Sequence, residues 1–192
     1  MQPMPRVPPL DRPATYEDLT KVPDIMVAEI VSGELHASPR PAPKHARAGS
    51  SLGVLVGGPY DLGRGGPGGW CILYEPELHF GRDVLVPDWA GWRRTSMPRL
   101  PETTYFPLAP DWVCEILSPS TASLDRAKKL AIYAREQVPH AWLIDPLART
   151  LEVLRLEAGR WTILATHAGS DVVRAEPFAE IELELWALWA EG

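Results

Sequence analysis

The clearest pattern along the chain is an apolar run, Trp112-Val-Cys-Glu-Ile-Leu117, with one carboxylate at Glu115. It breaks into Ser118-Pro-Ser-Thr121. After the break, Leu124, Ala127, Leu130, Ala131 and Ala134 recur at helical spacing over 123–136, and Ala141–Ile144 is again almost wholly apolar. This order predicts a buried strand over 111–117, an amphipathic helix and a second buried strand, hence a parallel pair joined by a crossover. Upstream, Met26–Val31 and Glu34–Ala37 around Ser32-Gly33 predict a hairpin. Lys44 to Val56 has helical spacing weakened by Gly49 and Gly53, and the five glycines of 61–69 predict a loop. That loop lacks the Gly-Lys-Ser/Thr ending of a phosphate-binding P-loop. Short strands follow over 70–74, 77–80 and 84–86, and then a long proline-rich connection from Arg93 to Pro110. Segments 150–156 and 160–166 predict a second hairpin, and 181–189 a strand with a short helix. The fold class is α/β, with a mixed β-sheet, flanking helices and added β-hairpins.

Length and composition narrow this further. At 192 residues the chain is read as one domain, 1–192, with 1–13 as an extended N-terminal arm. The net charge of −6 gives little general attraction to nucleic acid, so any such binding must be local. Cys71 and Cys114 both lie in apolar runs without metal-ligand spacing, and no run is long and apolar enough for a signal or a membrane span. These features read as a cytoplasmic protein with reduced cysteines.

The chemistry turns on Glu115. A lone buried carboxylate costs several kcal/mol unless paired, protonated or bound to a cation. Asp88 closes the run Val84-Leu-Val-Pro-Asp88. If its strand neighbours that of Glu115, the two converge, because adjacent strands lie about 4.8 Å apart. Asp111 stands roughly 13 Å from Glu115 along the same strand and cannot share a metal with it. Two converging carboxylates suit Mg²⁺ or Mn²⁺ better than zinc. Lys129 lies at about the depth of Glu115 once the helix has turned back along the sheet. It shares a face with Asp125 and Tyr133, whereas Lys128 projects about 100° away. Taken singly these residues have plainer readings: Asp125–Lys129 as a solvated pair, Asp88 as a turn residue and Glu115 as a structural ion pair. Trp92, with Trp89, could stack on bases, and Arg93 and Arg94 could hold phosphate.

Pro87-Asp88, Glu115-Ile-Leu-Ser-Pro-Ser-Thr121, Asp125-Arg-x-x-Lys129-x-x-x-Tyr133 and Ala141-Trp-Leu-Ile-Asp-Pro146 together resemble the Uma family of endonucleases. That family belongs to the PD-(D/E)XK, restriction-endonuclease-like superfamily. Thr15-Tyr-Glu-Asp18, Ala28-Glu-Ile-Val-Ser-Gly-Glu34 and His45 at a helix start extend the resemblance over nearly the whole chain. It implies a restriction-endonuclease-like core and metal-dependent hydrolysis of DNA. Asp88, Glu115 and the Ile116 carbonyl would hold Mg²⁺ or Mn²⁺, and Lys129 would be catalytic. Glu29, His45 and Tyr133 would be supporting residues. The chain departs from the superfamily at Leu117, where the motif lysine is expected, and the resemblance implies that the lysine has moved to position 129. Loss of Lys129 should then affect turnover and leave folding nearly unchanged. A homodimer would supply two sites for two strands. Leu117 and the acidic net charge also motivate the alternative of an inactive nuclease fold serving as a binding or assembly module.

Overall fold

The structure, a computed structural model, describes residues 10–189; residues 1–9 of the expected arm lie outside them. A short helix α1 (Tyr16–Leu19) leads into the hairpin β1 (Met26–Val31) and β2 (Glu34–Pro39). Helix α2 (Pro43–Leu52) continues as a wide-turn helix over Gly53–Asp61. Then come β3 (Trp70–Tyr74), β4 (Leu78–Phe80), β5 (Asp83–Leu85), β6 (Trp89–Arg93) and β7 (Trp112–Ile116). Helix α3 spans 122–135, with wide turns over Asp125–Lys129. Strands β8 (His140–Asp145), β9 (Thr150–Glu157) and β10 (Arg160–Ala168) complete the main sheet. The short strands β11 (Val172–Val173) and β12 (Leu183–Glu184) pair with each other before a 3₁₀ turn, Leu185–Leu188.

Two sheets organise the chain. One has four strands in the order β2-β1-β5-β4, and the other six in the order β10-β9-β8-β7-β6-β3. In the larger sheet the β7–β8 pair is parallel and the remaining pairs are antiparallel, as a crossover through α3 requires. Among the described residues no helix is long and apolar enough to cross a membrane.

Strand β7 is buried on both faces. Its odd and even positions part cleanly, because successive side chains of a strand point to opposite sides. Trp112, Cys114 and Ile116 join the cluster that includes Ala48 and Leu52 of α2 and Val56 of its wide-turn continuation. Val113 and Leu117 join the cluster that includes Leu130, Ile132 and Tyr133 of α3. Glu115, between Val113 and Leu117, therefore faces α3. Both cysteines are free and buried.

One sequence expectation needs correction. The strand beside Glu115 is β6, not the 84–86 segment. Segment Asp83–Leu85 belongs to the smaller sheet, where it pairs with β1 and β4. The chain crosses between sheets at Val86-Pro87-Asp88. Strand β6 escaped sequence reading because Trp89-Ala-Gly-Trp-Arg93 is buried through its centre and shows no polar–apolar alternation. Gly49 and Gly53, which weaken the helical pattern in the sequence, lie within α2 and its wide-turn continuation. They admit neighbours: a Cβ on Gly49 would lie 3.4 Å from Ile116 Cδ1, and one on Gly53 would lie 2.7 Å from Trp89 Cη2. Gly53→Ala should thus force the Trp89 indole or the helix to shift and cost about 1–3 kcal/mol, the usual range for overpacking. Denaturant melts check this, and an unchanged midpoint would contradict the close contact.

Candidate active site

The crossing segment Val86-Pro87-Asp88 is held at each end. Glu29, on β1, accepts the Val86 N–H at Oε1, 2.7 Å away. The Asp88 carbonyl accepts the Glu75 N–H at 3.0 Å, and the Asp88 carboxylate accepts the Ile116 N–H at 2.6 Å through Oδ2. The β6–β7 register pairs Trp89 with Cys114, so Asp88 falls beside Glu115 where the ladder runs out. In place of the backbone, the Asp88 side chain takes the next N–H. This is how the two carboxylates predicted to converge come to lie on adjacent strand ends.

Helix α3 closes the other side. Lys129 is 2% exposed, and its Nζ lies 2.8 Å from Glu29 Oε1, 2.9 Å from Glu115 Oε1 and 3.7 Å from Asp125 Oδ1. It also reaches the Val86 carbonyl at 3.4 Å. Tyr133, one turn on, donates its hydroxyl to Glu115 Oε1 at 2.6 Å. Lys128 points elsewhere and pairs with Glu34 at the exposed rim. The period-2 and helical-face arguments thus bring Glu115, Lys129 and Tyr133 together. Leu117, in the motif lysine position, is buried among apolar neighbours two residues beyond Glu115. The ammonium arrives from the helix at the face the strand position would have served.

His45, in the first turn of α2, places Nε2 3.2 Å from Asp88 Oδ1. Burial opposes its charge, but Asp88 and the Ile116 backbone outweigh this and raise its pKa above that of an ordinary histidine. A pocket of about 290 Å³ opens over the cluster. One wall is Ser38–Ala42 and the other is Ser118–Thr121, with Glu29, Asp88, Glu115, Asp125 and Lys129 at its floor.

The charges do not balance. One ammonium faces the carboxylates of Glu29, Glu115 and Asp125, with Asp88 close by. Burial pushes the Glu115 carboxyl well above the usual carboxylate range; Lys129 works against this, and Asp125, Asp88 and Glu29 add to it. Burial likewise raises Asp125, to about 6, against the pull of Lys129. Burial alone would lower Lys129, yet Glu115 and Glu29 hold its pKa well above the usual lysine value, so it stays cationic. Taken alone, Asp125–Lys129 reads from the sequence as a solvated pair, whereas the joint pattern sets Lys129 at the depth of Glu115; the structure buries both side chains.

Other candidates fall away from this cluster. Trp92 is fully buried and its indole N–H donates to the Leu108 carbonyl, so it is a core residue and not a base-stacking surface. Arg93 and Arg94 sit at the opposite end of β6, roughly 16 Å from Asp88 at strand rise. Arg93 lies over the Trp70 ring at 4.5 Å, and Arg94 binds Asp61 and the Trp70 carbonyl. Trp89 is half buried, with Tyr74 edge-on against it.

Comparison with known proteins follows the same outline. The profile of the family described as "Uma2: Putative restriction endonuclease" matches residues 13–187. A search of curated proteins returned no match. Among solved structures, one similar chain is described as a putative nuclease belonging to DUF820 from Anabaena variabilis ATCC 29413. It has a TM-score of 0.69 and 24% identity, covering 92% of this chain and 97% of that one. At that identity the likeness establishes the mixed α/β fold.

Two outcomes are expected. Asp125 binds its proton more tightly in the folded than in the unfolded protein. Its contribution therefore favours folding below the unfolded carboxylate pKa and is lost as pH rises through about 6. Asp125→Asn should stabilise the protein by roughly 1–3 kcal/mol at neutral pH, with the gain fading toward acid. Thermal melts across pH check the sign; a destabilised variant at neutral pH would contradict it. Lys129→Met, contrary to the sequence expectation that folding would be untouched, should cost about 3–5 kcal/mol by stranding the buried carboxylates. Chemical denaturation measures this, and a variant as stable as the parent would place Lys129 outside the network.

Proposed function

We propose, on the premise that this chain belongs to the Uma2 family of putative restriction endonucleases, that it is a metal-dependent phosphodiesterase cleaving DNA. The observation that carries this reading is the buried Lys129 ammonium 2.9 Å from Glu115, with Asp88 held on the adjacent strand end. The donor set fits a small hard cation. Both described contacts of Glu115 fall on Oε1, Asp88 shares Oδ1 with His45, and Ser118, Ser120 and Thr121 bring further oxygens to the pocket wall. The surplus of carboxylates over ammonium is the electrostatic demand a divalent ion meets. Among the described residues no three His, Cys, Asp or Glu side chains are grouped to hold a metal. A site of two carboxylates and the Ile116 carbonyl is compatible with that.

In this reading Asp88, Glu115 and the Ile116 carbonyl hold Mg²⁺ or Mn²⁺, which when bound acidifies a water and polarises the phosphoryl group. Lys129, permanently charged, orients the attacking water and offsets charge on the phosphoryl oxygens. Tyr133 fixes the Glu115 rotamer. Glu29 fixes Lys129 and the backbone before Asp88. Leu117 favours the competing reading of an inactive module in which the same network is purely structural.

Glu115→Gln retains an acceptor for Tyr133 and should still fold. It should weaken Mn²⁺ binding in calorimetry and lower cleavage of plasmid or oligonucleotide DNA by at least about a hundredfold. No heat of binding at millimolar Mg²⁺ or Mn²⁺, together with no cleavage by the parent protein, would leave only the structural reading.

A further inference from the structure

We infer that the strand entering this site is unpaired: the substrate is single-stranded nucleic acid, with one base stacked on Tyr74. This rests on the phosphodiesterase reading and goes beyond it. Two observations carry it, the depth of the reacting groups and the surface at the pocket mouth.

The reacting groups are recessed. Glu115 is 3% exposed and Lys129 2%, at the floor of a pocket of about 290 Å³ between the Ser38–Ala42 and Ser118–Thr121 walls. A duplex presents its phosphates on the outside of a stiff cylinder, and bending that cylinder into a narrow recess is costly. An unpaired strand can lower a single phosphodiester between two walls. Pocket volume agrees with this, because it lies at the small end for a drug-sized ligand.

The mouth offers what an unpaired base seeks. Tyr74 ends β3 and is 48% exposed, although its ring is braced edge-on by Trp89 with centroids 5.2 Å apart. The next residue, Glu75, lines the pocket and donates its N–H to the Asp88 carbonyl, so Tyr74 stands at the rim beside the site. From there a second hollow, of about 350 Å³ and bounded by Ala46, Gly49, Ser50, Tyr74 and Trp89, runs along α2. Gly49 keeps that hollow open, since a side chain there would approach both rings. Arg47 stands exposed on α2 next to Ala46 and three residues before Ser50, and Arg40 pairs with Glu75 at the rim. In a chain of net charge −6 this sets an exposed cation, Arg47, near an aromatic face. Alternating cation and ring is how single strands are bound without base-pair geometry, with phosphates on the cations and a base on the ring. Apolar exposure alone would serve a protein partner as well; the cations beside the ring favour a polyanion. A single-strand substrate also removes the need for a two-fold dimer to cut opposite strands.

The experiment is fluorescence anisotropy of the full chain with a labelled single-stranded DNA oligonucleotide and with its duplex, in chelator so that cleavage is absent. The single strand should bind on the order of tenfold tighter or more. Tyr74→Ala should lose roughly tenfold of that affinity and Tyr74→Phe should keep it, which separates stacking from a folding defect. Arg47→Ala should weaken binding and flatten its dependence on salt. Duplex bound as tightly as single strand, an unaltered affinity in Tyr74→Ala, or no binding of either probe would overturn the inference. Cleavage is read separately by adding Mg²⁺ or Mn²⁺. Single-strand binding without cleavage would fail the phosphodiesterase reading and leave this surface standing, whereas duplex cleavage without single-strand preference would do the reverse.

Discussion

The Lys129 ammonium, buried among Glu29, Glu115 and Asp125, is the constraint on which the rest of the structure depends. It draws one residue from each of the two sheets onto helix α3. Without it, three carboxylates from three elements would meet with no counter-charge in a place water scarcely enters. Desolvation on that scale is paid back only with good geometry and further hydrogen bonds. The chain supplies them: the Tyr133 hydroxyl on Glu115, the Val86 N–H on Glu29 and the Ile116 N–H on Asp88. Each satisfies an oxygen, and each also fixes where the next residue stands.

The excess of acid over base in this network is the feature on which the metal-site proposal rests. A buried pair built for stability would be neutral overall. Here Glu115 and Asp125 are both raised above ordinary carboxylates, mainly by burial. The fold tolerates an uncomfortable charge state beneath an open pocket, a pattern that concentrates at sites meant to receive a ligand.

How much of this could be read from the sequence depended on whether local periodicity or tertiary packing decided the matter. Strand β3, the β1–β2 hairpin, β8 and the β9–β10 hairpin follow from alternation and turn chemistry, and they stand close to where the pattern put them. Glu115 was conspicuous because a charge in an apolar strand is costly. Lys129 over Lys128 followed from helix rotation. What failed was anything set by partners distant in sequence. Strand β6 has Trp92 fully buried and Gly91 between Trp70 and Trp112, so it shows no face to read. Splitting of the strands into two sheets depends on β1 pairing with β5, which no local signal encodes. Gly49 and Gly53 weaken the helical pattern in the sequence because their role as clearances for Ile116 and Trp89 is set by distant partners.

The three-residue crossing at Val86-Pro87-Asp88 ties these points together. It is one of the three covalent connections between the sheets, its proline holds φ fixed, and the polar groups flanking that proline are bound by Glu29, Lys129, Glu75 and Ile116. The two sheets therefore cannot slide past each other while the site stays assembled. The cluster behaves as a latch across a seam: any motion that opens the seam dismantles the chemistry at once, and any ligand that tightens the cluster stiffens the joint between the two halves of the molecule.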